Sequence, residues 1–204
     1  MSAGVTFERV YHALKEELGS GRYAAGQHLE PAALSRDLNA SITPVRDALH
    51  RLAGEGLVET PRGEGFRMPL MTEVGLRHLY RWNAGLLDLA ARGRSGPEPT
   101  GRGEDSEPAG AAGAIETTEH LFLKVAARSG NPEHGATIAT LNDRLRAVRQ
   151  VELALMADPL AELEPIAALL ASDTLPGLRR TLAAYHRRRE RLVGELVAAL
   201  VAPR

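Results

Sequence analysis

Residues 41–52, SITPVRDALHRL, gather groups suited to reading a nucleic-acid duplex. Arg46 carries a planar fork of donors that can meet guanine in bidentate fashion or clamp a phosphate. Its alternative is an ion pair with Asp47 or Glu30 on the surface. Ser41 and Thr43 bring hydroxyls that can donate to phosphate oxygens, and Thr43 can equally cap the start of a helix. Ile42, between them, either meets a thymine methyl or packs. One turn further on, His50 and Arg51 are backbone contacts or simply solvated. Downstream, Arg62 and Arg67 flank Gly65, which is small enough to approach a minor groove and could also be an ordinary turn glycine. Upstream, Arg36 is a further phosphate candidate.

Those groups need a helix and a hairpin to aim them. Val45, Ala48, Leu49 and Leu52 fall on one helical stripe while Arg46, His50 and Arg51 project elsewhere. Pro44 suits the first helical position, with Thr43 as cap, and Gly56 suits the stop. Leu57–Thr60 and Phe66–Pro69 read as two strands around Pro61-Arg62-Gly63-Glu64-Gly65. Before them, Thr6–Leu18 is amphipathic, a second helix spans about Glu30–Leu38, and Asn39-Ala40-Ser41 is the turn between helices. Three helices and a β-hairpin wing make a winged helix-turn-helix, whose second motif helix enters the major groove.

The order Gly26, Leu29-Glu30, Leu34, Leu38, Ser41, Thr43-Pro44-Val45-Arg46, Ala48-Leu49, Leu52, Gly56-Leu57-Val58 and Gly65 resembles the GntR family of bacterial transcription regulators over about residues 5–70. The resemblance implies that Arg46 is the arginine of the family's PVR motif. The family commonly carries Arg where this chain has Ile42, so the operator is expected to differ from the usual one.

Composition permits this reading without suggesting it. The 204 residues carry a formal net charge of −1. Residues 1–70 hold eight Lys and Arg against nine Asp and Glu. DNA recognition would therefore rest on where the arginines point and on a dimer that doubles the contacts. There is no cysteine, which excludes a disulfide framework and thiolate chemistry. No apolar run of membrane-spanning length or signal-like start occurs, so a cytoplasmic protein with no membrane partner is expected. No nucleophile–base pair, phosphate loop or metal-ligand set is visible; an enzyme is not expected, and neither is a cofactor.

After residue 70 the reading is all-helical. Helices are expected over Thr72–Ala91, about Glu116–Arg128, on to about Met156, from Asp158-Pro159 to about Ala171, and as one long helix from Asp173 to Leu200. Residues 92–114, rich in Gly, Pro, Ser and acidic side chains, read as a flexible loop. The fold class is thus mainly α. Residues 1–70 form a winged helix-turn-helix DNA-binding domain, and residues 71–204 a helical effector-binding or dimerisation bundle.

This second part resembles the effector domain of the FadR subgroup of GntR. The resemblance implies small carboxylates or other metabolites as ligands, often held through a divalent metal on one carboxylate and three histidines. Here the pattern is eroded. Aligned on Ser129-Gly130-Asn131, the acidic position is Thr118 and the first histidine Phe122. The second histidine falls near Glu162, and only His186, two residues off the usual spacing, could stand for the last. The subgroup's Arg and Glu fall at Asn83 and Leu87. Glu116 and His120 are an acid and a histidine four apart, yet two residues out of register, a rotation of roughly 200°. No metal is therefore assigned. Asn83, Phe122, Arg149, Glu162 and His186 are the ligand-binding candidates; Trp82, Arg144, Arg146 and Tyr185 are lesser ones. The run His186-Arg187-Arg188-Arg189 reads as a solvated face. The expected protein is a dimeric transcription regulator, a repressor, binding a palindromic operator in double-stranded DNA and responding to a small-molecule effector. The alternative is a ligand-independent regulator whose helical part only pairs the subunits.

Overall fold

The computed structural model describes residues 3–93 and 111–202. Its first part is built from α1 (Ala3–Gly19), β1 (His28–Leu29), α2 (Pro31–Asp37), α3 (Ile42–Gly54) and β2 (Phe66–Arg67). One apolar stripe from each helix closes a small core: Val10, Leu14 and Leu18 of α1, Leu34 of α2, and Val45, Leu49 and Leu52 of α3. Phe66 and Met68 cover it from the wing. Helices α2 and α3 join through Asn39, whose left-handed backbone (φ 46°) a short polar side chain tolerates. The carbonyls of Leu38 and Asn39 both accept from Arg9 of α1, so α1 holds the turn that aims α3.

The wing differs from the expected hairpin. Glu59 and Arg67 exchange backbone hydrogen bonds as an isolated bridge. The regular pairing is instead between β2 and β1, antiparallel, with His28 opposite Arg67 and Leu29 opposite Phe66. Two residues are too few to show an alternating pattern, so β1 left no signal in the sequence.

The second part contains α4 (Glu73–Ala90), α5 (Ala111–Ala127), α6 (Pro132–Leu155), α7 (Glu164–Ala171), α8 (Leu175–Arg191) and α9 (Val193–Val201), with no strand among the described residues. Its core is separate from the first and draws on every one of these helices, from Leu76 to Leu196. Thr72 caps α4 by accepting from the Gly75 amide, and Asn131 caps α6 by accepting from the Glu133 amide. The single closing helix expected over Asp173–Leu200 is two helices. The chain breaks at Leu192 (φ −88°, ψ 0°), just before Gly194, which lets α9 fold back on α4 and α6.

Two further expectations shift. The segment from Asp158 is turn until Glu164, where α7 begins. Of the expected loop at 92–114, residues 94–110 lie outside the described residues. Residues 111–114 belong to α5, which starts five positions before Glu116 because Ala114 and Ile115 are buried.

The two parts meet where α1 crosses α6. Lys15 pairs with Asp143 at 2.6 Å and with Glu55, at the end of α3, at 3.2 Å. A Cβ at Gly19 would sit 2.9 Å from Arg146 Cδ, so only glycine allows this approach without a shift.

Candidate nucleic-acid interface and helical core

Helix α3 buries Val45, Ala48, Leu49 and Leu52 and exposes Ser41, Ile42, Thr43, Arg46, Asp47 and His50. It starts two residues earlier than the sequence suggests. Ser41 occupies the cap position without a side-chain cap bond, so Thr43 is not the cap and Pro44 is the third helical residue. The amides of the first turn thus have no side-chain acceptor, and both hydroxyls stand beside them, the arrangement in which a helix start receives phosphate. Ile42 is 41% exposed and does not pack into the core, which leaves its methyls available to a groove.

Between α3 and the wing lies a cleft of about 390 Å³ lined by His28, Glu30, Arg46, His50, Thr60 and Gly65, among others. Arg46 faces it. No ion pair joins Arg46 to Asp47, Glu30 or any other carboxylate among the described residues. The guanidinium is exposed and chemically able to donate to a group outside the chain. Glu30 and Glu64, whose place in this cleft no sequence pattern signalled, add carboxylates to its walls, Glu64 already paired with Arg67.

The remaining candidates divide. Arg36 and Arg62 are exposed, Arg62 at the wing tip before Gly63 and Gly65, both with positive φ. His50 sits edge-on to Phe66 (4.9 Å between centroids), which fixes its ring on the cleft wall. Arg51 turns the other way: its guanidinium lies 3.9 Å from the centre of the Tyr11 ring and pairs with Glu8 and Glu55. Arg67 is committed to Glu59 at 2.9 Å and Glu64 at 3.5 Å. Both arginines therefore hold the fold, and Arg62 and Arg46 carry the free charge of this face.

In the helical part, four of the five ligand candidates come together, but as core. The Asn83 amide meets His186 Nε2 at 2.8 Å, and His186 Nδ1 donates to the Leu182 carbonyl. The amide atom at Nε2 is Asn83 Oδ1, while Asn83 Nδ2 is buried without a hydrogen bond; with Nδ1 donating, a neutral ring keeps a lone pair at Nε2, which only the NH₂ end of a turned amide would satisfy. Phe122 stacks on His186, and Arg149 reaches over Phe122 while bonding Asn142 and Glu119. Asn83, Phe122, Arg149 and His186 are each at most 4% exposed. They fill the space that they would otherwise line. Glu162 lies elsewhere, on Arg188 and Arg189.

These positions do not fit a metal. Thr118 spends its hydroxyl on the Ala114 carbonyl, Phe122 offers carbon, and His186 has one nitrogen bound to backbone. Glu116 binds Arg146, while His120 points to solvent. Among the described residues no three His, Asp or Glu side chains gather closely enough to hold an ion.

Burial pushes the His186 pKa down to about 3, helped by the charges of Arg189 and Arg149 and opposed by the bond to Leu182. A histidine kept neutral in the fold stabilises it fully above the unfolded pKa of about 6.5 and loses that stability as pH falls towards 3. Between pH 6.5 and 5 the stability should therefore drop by up to about 1.4 kcal/mol per pH unit from this group. Urea midpoints across that range should fall more steeply for the native chain than for His186→Gln. Equal slopes would mean that His186 takes up its proton in the folded state.

The expected solvated run is solvated only in part. Arg187 and Arg188 are exposed, whereas Arg189 is 2% exposed and lies over the Tyr185 ring. It donates to Glu152 and to Glu162, each at 2.8 Å, and Tyr80 donates to the other Glu152 oxygen. Helical phase was the missed signal: 178, 182, 185 and 189 step along one face, so Arg189 extends the stripe of Leu178, Leu182 and Tyr185.

Residues 6–68 match the family model of bacterial regulatory proteins, gntR family. Over 143 residues, 65% of this chain and 68% of the relative, the chain is 24% identical to the Nta operon transcriptional regulator of Aminobacter aminovorans. Among solved structures it resembles E. coli McbR/YncC, with a TM-score of 0.64, 20% identity, and coverage of 96% of this chain and 99% of that one. A transcriptional regulator GntR from Rhodococcus sp. RHA1 gives a TM-score of 0.72 at 18% identity, covering 92% and 96%. At such identities the likeness is one of fold.

Proposed function

Because residues 6–68 belong to the gntR family of bacterial transcription regulators, we propose that this chain represses transcription as a homodimer, reading a palindromic operator with residues 1–70 and pairing through residues 71–204. The exposed face of α3 carries the reading: Ser41, Ile42, Thr43 and Arg46 stand clear of the core, and Arg46 has no carboxylate partner among the described residues. The near balance of charge in residues 1–70 means that one head would hold DNA weakly, and two heads on two half-sites supply the contacts that one lacks. Such a protein works where the DNA is, in the cytoplasm; no helix among the described residues is long and apolar enough to cross a membrane. Selection of bound duplexes from random sequence tests it. Two inverted half-sites are expected, and a pool that stays random overturns the reading.

The pairing surface is α4. Val74, Trp82 and Leu89 are each more than half exposed, and His78 and Gly85 share their face at helical steps of four, four, three and four residues. A Cβ at Gly85 would meet nothing within 4 Å. Two antiparallel copies of this face related by a two-fold axis midway between 82 and 85 would place Trp82 of each over Gly85 of the other, and His78 over Leu89, an isologous contact. Trp82→Glu should convert a dimer to a monomer in sedimentation without lowering the melting temperature of the monomer. A dimer that survives the substitution places the interface elsewhere.

Response to a small-molecule effector belongs to this reading. A ligand would act by binding unequally to the two spacings of the heads. A second reading, a helical part that is only a dimerisation scaffold, draws on one observation: Asn83, Phe122, Arg149 and His186 pack together as buried core where a ligand would lie.

A further inference from the structure

A second cleft lies between the turn after α6, α7 and α8. It measures about 360 Å³ and is lined by Asp158, Glu162, Pro165, Thr181, Tyr185 and Arg188, among others. Its floor holds an unfinished contact. Glu162 Oε2 accepts from Arg189, but Oε1 is buried and makes no hydrogen bond. The charge nearest to it is Arg188 Nη1 at 3.2 Å, on a side chain that is more than half exposed at the rim. The buried oxygen thus has an ion pair without a well-aligned hydrogen bond, and a better-placed donor supplied from outside would complete it.

We propose that this cleft binds a free α-amino acid with an aliphatic side chain. The ammonium group donates to Glu162 Oε1, with exposed Asp158 adding negative charge at the rim. The carboxylate takes Arg188, whose long exposed side chain can swing away from Glu162. One imperfect ion pair is thereby exchanged for two complete ones. The side chain lies against Ala161, Pro165 and Ala184. A metal ion fits less well, since Arg188 would stand beside it, and a simple carboxylate would leave Glu162 Oε1 without its donor. The cleft's volume lies in the range of small-molecule sites.

This deepens the ligand-responsive reading, and binding is measured on the full chain without DNA, so its failure is distinguishable from failure of operator binding. The melting temperature is recorded with each of the twenty protein amino acids. Any that raises it is titrated calorimetrically beside the amine and the acid of the same side chain. At least one aliphatic amino acid should bind, with both analogues at least tenfold weaker. Arg188→Gln, at the exposed rim, should weaken the amino acid to the level of the amine. The proposal is overturned if no amino acid shifts the melting temperature, if either analogue binds equally well, or if Arg188→Gln leaves the affinity unchanged.

Discussion

Replacing Arg46 by alanine should lower the affinity of the chain for its selected palindrome by about 1–3 kcal/mol per half-site, roughly five- to 150-fold. The expectation rests on three observations taken together. The side chain is exposed, no carboxylate pairs with it among the described residues, and it faces the cleft between α3 and the wing. If Arg46 reads guanine, base preference at one position of each half-site relaxes. If it clamps a phosphate, affinity falls uniformly and the salt slope falls by about one per half-site. Either outcome assigns the residue; unchanged affinity and slope remove it from the interface. Arg51→Ala is the contrast. Arg51 is spent on Tyr11, Glu8 and Glu55, so its loss should lower the melting temperature and leave the base preference intact.

That contrast measures how far the sequence could be read. The stripe of Val45, Ala48, Leu49 and Leu52 announced which face of α3 is buried, and Arg46 follows as exposed by simple phase. Phase does not say which of two exposed arginines has a partner, because Glu8 and Tyr11 reach Arg51 from another helix, some forty residues away in sequence. The same limit explains Arg67. Its carboxylate neighbours were visible in the sequence, but that the wing would fold both onto it was not. Strand β1 was silent for a different reason: a two-residue strand has no periodicity. In the helical part, the eroded ligand positions were legible as substitutions at Thr118 and Phe122. What replaced the lost chemistry was not, since the stacking of Phe122 on His186 needs the packing of α5 against α8.

Arg189→Met should cost about 3–5 kcal/mol of stability, the range for removing one partner of a buried ion pair. The guanidinium sits between Glu152 and Glu162, whose side chains are 4% and 8% exposed, and it lies over the Tyr185 ring. Taking it away leaves two carboxylates in the core, one with only the Tyr80 hydroxyl and the other with only half-exposed Arg188. The size of the loss is therefore set by the orphaned acids more than by the missing contact. Two consequences separate this account from simple loss of packing. Adding Glu152→Gln and Glu162→Gln should recover much of the stability lost in Arg189→Met, whereas a packing defect would deepen. The deficit of the single variant should also shrink as pH falls from 8 to 5, because protonating a buried, unpartnered carboxylate relieves its cost. Urea unfolding of the three chains at both pH values reads all of this. A single variant within 1 kcal/mol of the native chain would show that Arg189 is a cation the core tolerates without depending on it, and that α8 is held by Leu178, Leu182 and Tyr185 alone.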